Sequence, residues 1–502
     1  MSDQDTHQNK YSTLRSIWKY HTDLYHALYQ LKTENEEDLN SNYKLIKTEL
    51  IDSKKYPPKR IMGDILNIIP YNNRYTKSYL SLAKLISDEY HVKEVINILT
   101  ISNFLFYKEY GIKLDKYDDF EEFNSENLEI HSENTIYRAI MHNDLERFIQ
   151  STEIGEFDKD ERLISILYPH FKKGYSLLEL CCYHGAVDCF KLLRTKFNSK
   201  ITETCLRFSF LGGNQEIMSE CLKYQEPNKY CMKYAIISHN IDFVTFLMNE
   251  HNIEINLSLC WEYNNLESLL VYFDQTNDIN NCFYYSALLY IPSLCEYFLS
   301  LGADINDKVD GRTALHIAAQ KNYKETAEFL LSHGANIDEK DKYGVDALYH
   351  ASEYNSKETA EVLLSHGANI NKKYNEGQTA LHMASHWNCI ETAELFLSHG
   401  ANINEKDNNG ETALHYTAYH DSKGTAELLI SHGININEKD NFGKTALHTA
   451  AKENCKETAE LLISHGANID EKDEDGETAL HIASEHISKE TVEVLLSHGA
   501  KI

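Results

Sequence analysis

The sequence lacks a long apolar run. Its longest apolar stretch lies near Val95 to Tyr107 and is far shorter than the roughly 20 residues that a helix needs to span a bilayer. The first residues, Met1 to Lys10, are polar and carry no apolar block of the kind found in secretory signals. We therefore expect an intracellular protein, cytoplasmic or nuclear, that does not insert into membranes.

Positive charge is also scarce. The chain has 49 lysines and arginines against 77 aspartates and glutamates, for a formal net charge of -28. Such a field repels phosphate backbones and anionic lipid surfaces before any contact is made. Nucleic acid is therefore not expected as a partner.

Recognisable catalytic motifs are missing as well. The sequence has no phosphate-binding glycine loop, no Gly-x-Ser-x-Gly turn, no His-Glu-x-x-His pair and no kinase signature. Its 11 cysteines include no Cys-x-x-Cys pair, and the one adjacent thiol pair, Cys181 and Cys182, lies in an apolar segment predicted to be helical. We expect these thiols to pack in the core, and we expect a non-enzymatic protein with no cofactor and no metal.

What the sequence does contain is a repeated string, Thr-Ala-Leu-His. It begins at Thr313, Thr379, Thr412, Thr445 and Thr478, and a variant, Asp-Ala-Leu-Tyr, begins at Asp346. The spacing is about 33 residues or a multiple of it, and glycines recur in the same register. A repeat of this length predicts stacked supersecondary units that share one continuous core.

The first of these repeats illustrates the chemistry. Thr313 suits a helix N-cap, and His316 stands at the third helical position, where a reciprocal capping side chain is useful. Asn322 offers a left-handed stop, a second helix is predicted from about Lys324, and Gly334 supplies the positive φ that ends it. Each unit is therefore predicted to be a helix pair followed by an extended hairpin.

These residues resemble the ankyrin repeat family, whose usual string is Thr-Pro-Leu-His, with alanine here in place of proline. The resemblance implies an all-α ankyrin-repeat solenoid of helix-turn-helix units with β-hairpin loops. Six regular repeats are predicted at residues 308–340, 341–373, 374–406, 407–439, 440–472 and 473–502.

Upstream of these repeats the pattern continues in eroded form. Residues 134–307 contain helix starts at Asp188, Glu216, Asp242, Glu267 and Ser293 at shorter spacing, which predicts ankyrin-like units without hairpins. This part resembles the degenerate region of expanded ankyrin families in protist parasites.

Residues 1–133 are predicted to form a helical N-terminal domain. Its expected helices run from Tyr11 to Leu31, Glu36 to Ile51, Arg60 to Ile69, Tyr75 to Asp88 and Val92 to Tyr107. An acidic linker is expected from Asp115 to Glu133.

The recurring histidines suggest a metal site only at first sight. Equivalent atoms of stacked units lie roughly 10 Å apart, whereas zinc needs nitrogen ligands at about 2.0–2.1 Å. We therefore interpret the row that contains His316 and His382 as helix caps that also form hydrogen bonds between repeats.

Residues that do not repeat indicate where a partner would bind. The ankyrin resemblance implies a concave surface formed by the hairpin tips and the exposed ends of the first helices. Large side chains concentrate at those positions, as protein-interface anchors often do. The candidate protein-binding residues are Tyr343, Tyr354, His386, Trp387, Tyr419, His420 and Phe442.

The sequence favours a scaffold or adaptor that binds a protein partner on this surface. The alternative is a substrate-receptor or regulatory subunit of a larger enzyme complex, docked through the N-terminal helical domain. The partner's identity and the oligomeric state are left open.

Two departures from the pattern, Tyr349 in place of histidine and Gly424 within a second helix, are expected to soften the stack, the glycine by about 1 kcal/mol.

Overall fold

The computed structural model describes residues 11–53, 56–95, 98–115, 118–120, 135–153 and 157–501. Contacts divide the chain into two units, Met1–Asp278 and Ile279–Ile502. The domain limits expected from the sequence remain predictions. In the described part, no helix is long and apolar enough to cross a bilayer. Most of the expected acidic linker, Asp115 to Glu133, lies outside the described residues.

Helices α1 to α6 open the first unit, and short 3-10 turns and one π-helical turn at Lys47–Asp52 lie between them. Their bounds are 11–17 (α1), Lys19–Tyr29 (α2), Glu36–Ile46 (α3), Pro58–Asn67 (α4), Thr76–Tyr90 (α5) and Thr100–Tyr110 (α6).

The expectation of a helix from Val92 was wrong, because α6 begins only at Thr100. His91 ends α5 in a left-handed conformation, with φ 54°. The backbone N–H of Val95 then donates to the carbonyl oxygen of Leu114 at 3.0 Å, which holds this segment extended. A β-branched residue such as Val95 suits an extended backbone better than a helix.

The eroded region is a series of helix pairs, and the expected helix starts are confirmed. The pairs are α7 Ile136–His142 and α8 Leu145–Glu153, α9 Leu177–His184 and α10 Val187–Thr195, α11 Glu203–Gly212 and α12 Gln215–Leu222, α13 Lys229–Ile237 and α14 Ile241–His251, α15 Leu257–Glu262 and α16 Leu266–Thr276, and α17 Ile279–Leu288 and α18 Pro292–Ser300. The last of these belongs to the second unit.

One hairpin survives among the eroded units. Strands β1 (Arg162–Leu163) and β2 (Tyr175–Ser176) pair in antiparallel fashion before α9. After α10, α12, α14 and α16, the second helix of each pair leads to the next first helix through a short loop. Gly212 lets two first helices approach closely, because a Cβ there would overlap the carbonyl oxygen of Cys182.

Six regular helix pairs complete the second unit, and the all-α ankyrin-type solenoid is confirmed. The pairs are α19 Ala314–Lys321 and α20 Lys324–Ser332, α21 Ala347–Glu353 and α22 Lys357–Ser365, α23 Ala380–His386 and α24 Ile390–Ser398, α25 Ala413–Thr417 and α26 Lys423–Ser431, α27 Ala446–Lys452 and α28 Lys456–Ser464, and α29 Ala479–Glu485 and α30 Lys489–Ser497. Neighbouring first helices pack on one another, as do neighbouring second helices.

The Thr-x-x-His string caps the first helix in five of the six regular repeats, as predicted. In the third regular repeat, Nδ1 of His382 accepts a hydrogen bond from the backbone N–H of Thr379 at 3.0 Å. Its Nε2 donates to the carbonyl oxygen of Glu411 in the next repeat at 3.2 Å. The same two bonds recur at His316, His415 and His448. The histidine row therefore joins adjacent repeats.

A second row of hydrogen bonds starts from the left-handed residue between the two helices of a repeat. The side-chain oxygen of Asn322, at φ 56°, accepts the backbone N–H of Thr359 in the next repeat at 3.0 Å. Equivalent bonds join Asn143 to Asp188, Asn355 to Thr392, Asn388 to Thr425, Asp421 to Thr458 and Asn454 to Thr491. Through Asn143, the first eroded pair is joined to the next pair by the same kind of bond as the regular repeats.

The second regular repeat replaces the histidine with Tyr349. Here the side chain of Asp346 caps the helix and accepts the backbone N–H of Tyr349 at 3.2 Å. Asp346 also accepts the hydroxyl of Tyr374 at 2.8 Å and pairs with Lys372 at 2.7 Å. This network takes the place of the missing histidine bonds. It therefore offsets the local loss of stability expected at this repeat.

Candidate protein-binding surface

The end of each first helix is a recurrent surface position in the second unit. The helix stops, and the last one or two side chains before the left-handed residue project from the stack. In the third regular repeat these residues are His386 and Trp387, followed by Asn388 at φ 54°. Trp387 is 45% exposed there, and the equivalent Tyr354 is 44% exposed.

Four of the candidate residues come together in one group of rings, His386, Trp387, Tyr419 and His420, which we call the ring cluster. The Trp387 ring stacks on His420 of the next repeat, with centroids 5.1 Å apart and an interplanar angle of 17°. His386 lies beside both rings and meets each of them edge to face, 4.9 Å from Trp387 and 4.4 Å from His420. Tyr419 closes the group at 5.8 Å from His386.

Burial sets the charge state of the rings. It lowers the pKa of His386 to about 4, so this imidazole is neutral near neutral pH. Nδ1 of His386 is buried and accepts no hydrogen bond from any described residue. The Tyr419 hydroxyl donates to Glu411 at 2.7 Å, and burial raises the pKa of that carboxyl above its usual range.

Two residues that support the cluster were not predicted from the sequence. Tyr416 is buried, and its ring lies 6.1 Å from His386 and 5.9 Å from Tyr419. Its hydroxyl donates to Asp407 at 3.0 Å. Glu411, which holds Tyr419, is buried as well. The signal in the sequence was Tyr416 itself, which stands where the other repeats have Ile317, His350, Met383, Thr449 or Ile482.

Three candidates remain outside the ring cluster. Tyr343 and Phe442 stand at hairpin tips and are 60% and 59% exposed. Lys342 lies over the Tyr343 ring, 5.3 Å from its centroid. Tyr354 is exposed at a helix end, and no ring contact of the described residues joins it to Trp387. These positions surround the cluster without being part of it.

Metal and thiol chemistry find little support in the geometry. Within the described ranges, no group of three or more histidine, cysteine, aspartate or glutamate side chains is arranged to hold a metal ion. Cys181 and Cys182 are fully buried, and burial raises the pKa of both thiols well above the usual range. Their predicted place in the core is confirmed.

In the first unit, the N-terminal helices cover the equivalent helix ends. The Tyr29 ring stacks on His239, which is the left-handed residue after α13, with centroids 4.1 Å apart. Gln30 donates to the carbonyl oxygen of Ser238 at 2.5 Å, and Arg74 donates to that of His184 at 3.1 Å. The residues that precede the left-handed position are therefore a docking surface within this unit.

Arg15 makes a further contact at this surface. It pairs with Glu267, the second residue of α16. Tyr11 also donates to the Glu267 carboxylate at 2.9 Å. An arginine on a carboxylate is thus part of how the N-terminal helices attach to the eroded repeats.

Comparison with protein families agrees with the architecture. A model described as ankyrin repeats (3 copies) matches residues 283–374, 371–440 and 436–502. A model described as a domain of unknown function (DUF3447) matches residues 197–272, where the structure has the eroded helix pairs from α11 onward. No curated protein matches the chain.

Proposed function

Because this chain is an ankyrin repeat protein, we propose that it is a non-enzymatic scaffold that binds a protein partner through the regular repeats at residues 308–502. Ankyrin repeats are in general protein–protein interaction modules. The binding surface is the concave face, formed by the hairpin tips and the ends of the first helices. It includes the ring cluster together with Tyr343, Tyr354 and Phe442.

One observation carries this proposal. Large aromatic side chains stand exposed at positions where a soluble stack would otherwise present small or polar residues, with Trp387 and Tyr354 each more than two-fifths exposed. Exposed aromatic side chains gathered on one face are typical of interface anchors. The histidine and asparagine bonds hold the repeats that carry them in fixed register, so the surface is preorganised.

The test compares partner capture by the full-length wild type with that by the double variant Y354A/W387A. Both proteins are used as bait in extracts of the native cell, and the retained proteins are identified by mass spectrometry. The control L496A removes a side chain 46% exposed on α30, the second helix of the last repeat, and so leaves the ends of the first helices unchanged. Circular dichroism establishes that each variant is folded.

We expect the double variant to lose at least one partner that wild type and L496A both retain. Retention of every partner by the folded double variant would contradict the proposal.

A further inference from the structure

The ring cluster is surrounded by carboxylates. Glu411 accepts the Tyr419 hydroxyl, and Glu453 contributes to the field that raises the pKa of Tyr419. On the other side, the charge of Glu353 acts on His386. Lys452 of the following repeat is paired with Glu453 at 3.1 Å. A ligand at these rings therefore meets a negative field, in a chain whose net charge is already -28.

The ring faces are free to receive a cation. In the described part of the chain, no lysine or arginine lies over the ring of Trp387 or Tyr419. His386 stays neutral near neutral pH and so does not repel a positive group. Electron-rich faces flanked by carboxylates attract cations more strongly than either feature alone.

The chain itself contains this arrangement twice, in filled form. The Arg207 guanidinium lies over the Tyr230 ring, 4.3 Å from its centroid, and pairs with Glu203. Arg194 lies 4.8 Å over Tyr224 and pairs with Glu220 at 3.8 Å. In both cases one face of the guanidinium meets an aromatic ring while its N–H groups meet a carboxylate.

The first unit adds a third argument. The helix-end surface that corresponds to Trp387 is there occupied by helices that bring arginines to it. Arg74 donates to the carbonyl oxygen of His184, which precedes left-handed Gly185 as Trp387 precedes Asn388. Arg15 pairs with Glu267 near the start of the second helix α16. An arginine, Arg74, is thus one of the side chains that dock at this position of the repeat, beside Tyr29 and Gln30.

We propose that the ring cluster receives an arginine of the protein partner. The guanidinium stacks on the exposed face of Trp387, and its N–H groups point to Glu353 or Glu411. This inference rests on the proposed function and specifies the partner's chemistry. A planar guanidinium suits stacked rings better than an ammonium group, so arginine is preferred to lysine.

The experiment uses the full-length protein labelled with 5-fluorotryptophan. The chain has three tryptophans, so it gives three ¹⁹F resonances, and the W387F variant identifies that of Trp387. The probes are N-acetyl-arginine methylamide, its lysine analogue and its citrulline analogue, which keeps the shape of arginine without the charge. We expect the arginine probe to shift the Trp387 resonance, with an affinity about tenfold above that of the citrulline probe.

Two variants locate the charge contribution. E353Q removes a carboxylate beside His386, and we expect it to weaken the arginine probe severalfold. E361Q is the matched control, because Glu361 is exposed on the second helix of the same repeat. The inference is overturned if the Trp387 resonance does not move, or if citrulline shifts it as strongly as arginine.

Failure of this inference can be told apart from failure of the proposed function. A partner that is lost with Y354A/W387A but still binds after its arginines are replaced by glutamine leaves the scaffold proposal standing and rules out arginine recognition. Partners that are indifferent to both changes overturn the scaffold proposal itself.

Discussion

Nε2 of His316 donates a hydrogen bond to the backbone carbonyl oxygen of Val345, a residue of the following repeat, at 3.3 Å. Nδ1 of the same ring accepts the backbone N–H of Thr313 at 3.1 Å. One buried neutral imidazole therefore caps its own helix and fixes the next repeat in register. Both bonds require the neutral form with its proton on Nε2, so protonation of the ring removes the Nδ1 acceptor.

This arrangement makes stability depend on pH. Burial lowers the pKa of His316 from 6.5 to about 4. The neutral ring contributes fully to the free energy of unfolding above pH 6.5. This contribution is lost as the pH falls toward 4, because the unfolded state then takes up a proton that the folded state does not.

We therefore expect the urea concentration at the unfolding midpoint to be higher for wild type than for H316Q at about pH 7. This difference in midpoint should be smaller at about pH 5. H333Q controls for the removal of one histidine, since His333 is exposed at the end of α20. If the difference in midpoint between wild type and H316Q did not change with pH, the neutral His316 ring would not be the source of pH-dependent stability.

A second prediction concerns the asparagine row. Asn322 has φ 56° and accepts the backbone N–H of Thr359 at 3.0 Å. N322A loses the hydrogen bond and places an alanine in the left-handed region, so we expect a loss of about 2 kcal/mol in unfolding free energy. N322G loses the same bond but tolerates the backbone, and should cost about 1 kcal/mol less than N322A.

Urea unfolding followed by circular dichroism measures both variants. If N322A and N322G lost the same unfolding free energy, the left-handed backbone at residue 322 would carry no cost. If neither variant lost a measurable amount, the hydrogen bond between the repeats would not stabilise the fold.

The repetitive part of the fold was predictable because local chemistry repeats with it. The cap at Thr313, the left-handed stop at Asn322 and the second helix from Lys324 follow from residue preferences within one unit. The start of α6 was not predictable in this way, because the extended segment before it depends on the bond from Val95 to Leu114, which lies 19 residues further along the chain.

The candidate site was predictable only by position. Register placed His386 and Trp387 at a helix end, but the stacking of Trp387 on His420 depends on the distance between two repeats and on the support of Tyr416. The covering of His239 by Tyr29 joins residues more than 200 positions apart, and no periodic pattern marks such a contact. Long-range complementarity of this kind is recorded in side-chain shape rather than in local preference.

The glycine at position 424 forms a pair with Ile390 of the preceding repeat. Ile390 begins α24, and Gly424 is the second residue of α26. All five other regular repeats begin this helix with a lysine, namely Lys324, Lys357, Lys423, Lys456 and Lys489. A Cβ on residue 424 would overlap Cδ1 of Ile390 and lie 3.1 Å from Oδ1 of Asn388. The glycine is therefore an accommodation of the larger neighbour as well as a weak point in the helix.

A double-mutant cycle separates these two effects. G424A gains up to about 1 kcal/mol of helix propensity, but next to Ile390 the overlap offsets it, so we expect no stabilisation in the wild-type background. In the I390A background the overlap is gone, and the same substitution should raise the unfolding free energy by up to about 1 kcal/mol. Urea titration of the four proteins gives the coupling between the two sites. If G424A stabilised both backgrounds equally, packing against Ile390 would not explain the glycine. The softening expected at this repeat would then come from helix propensity alone.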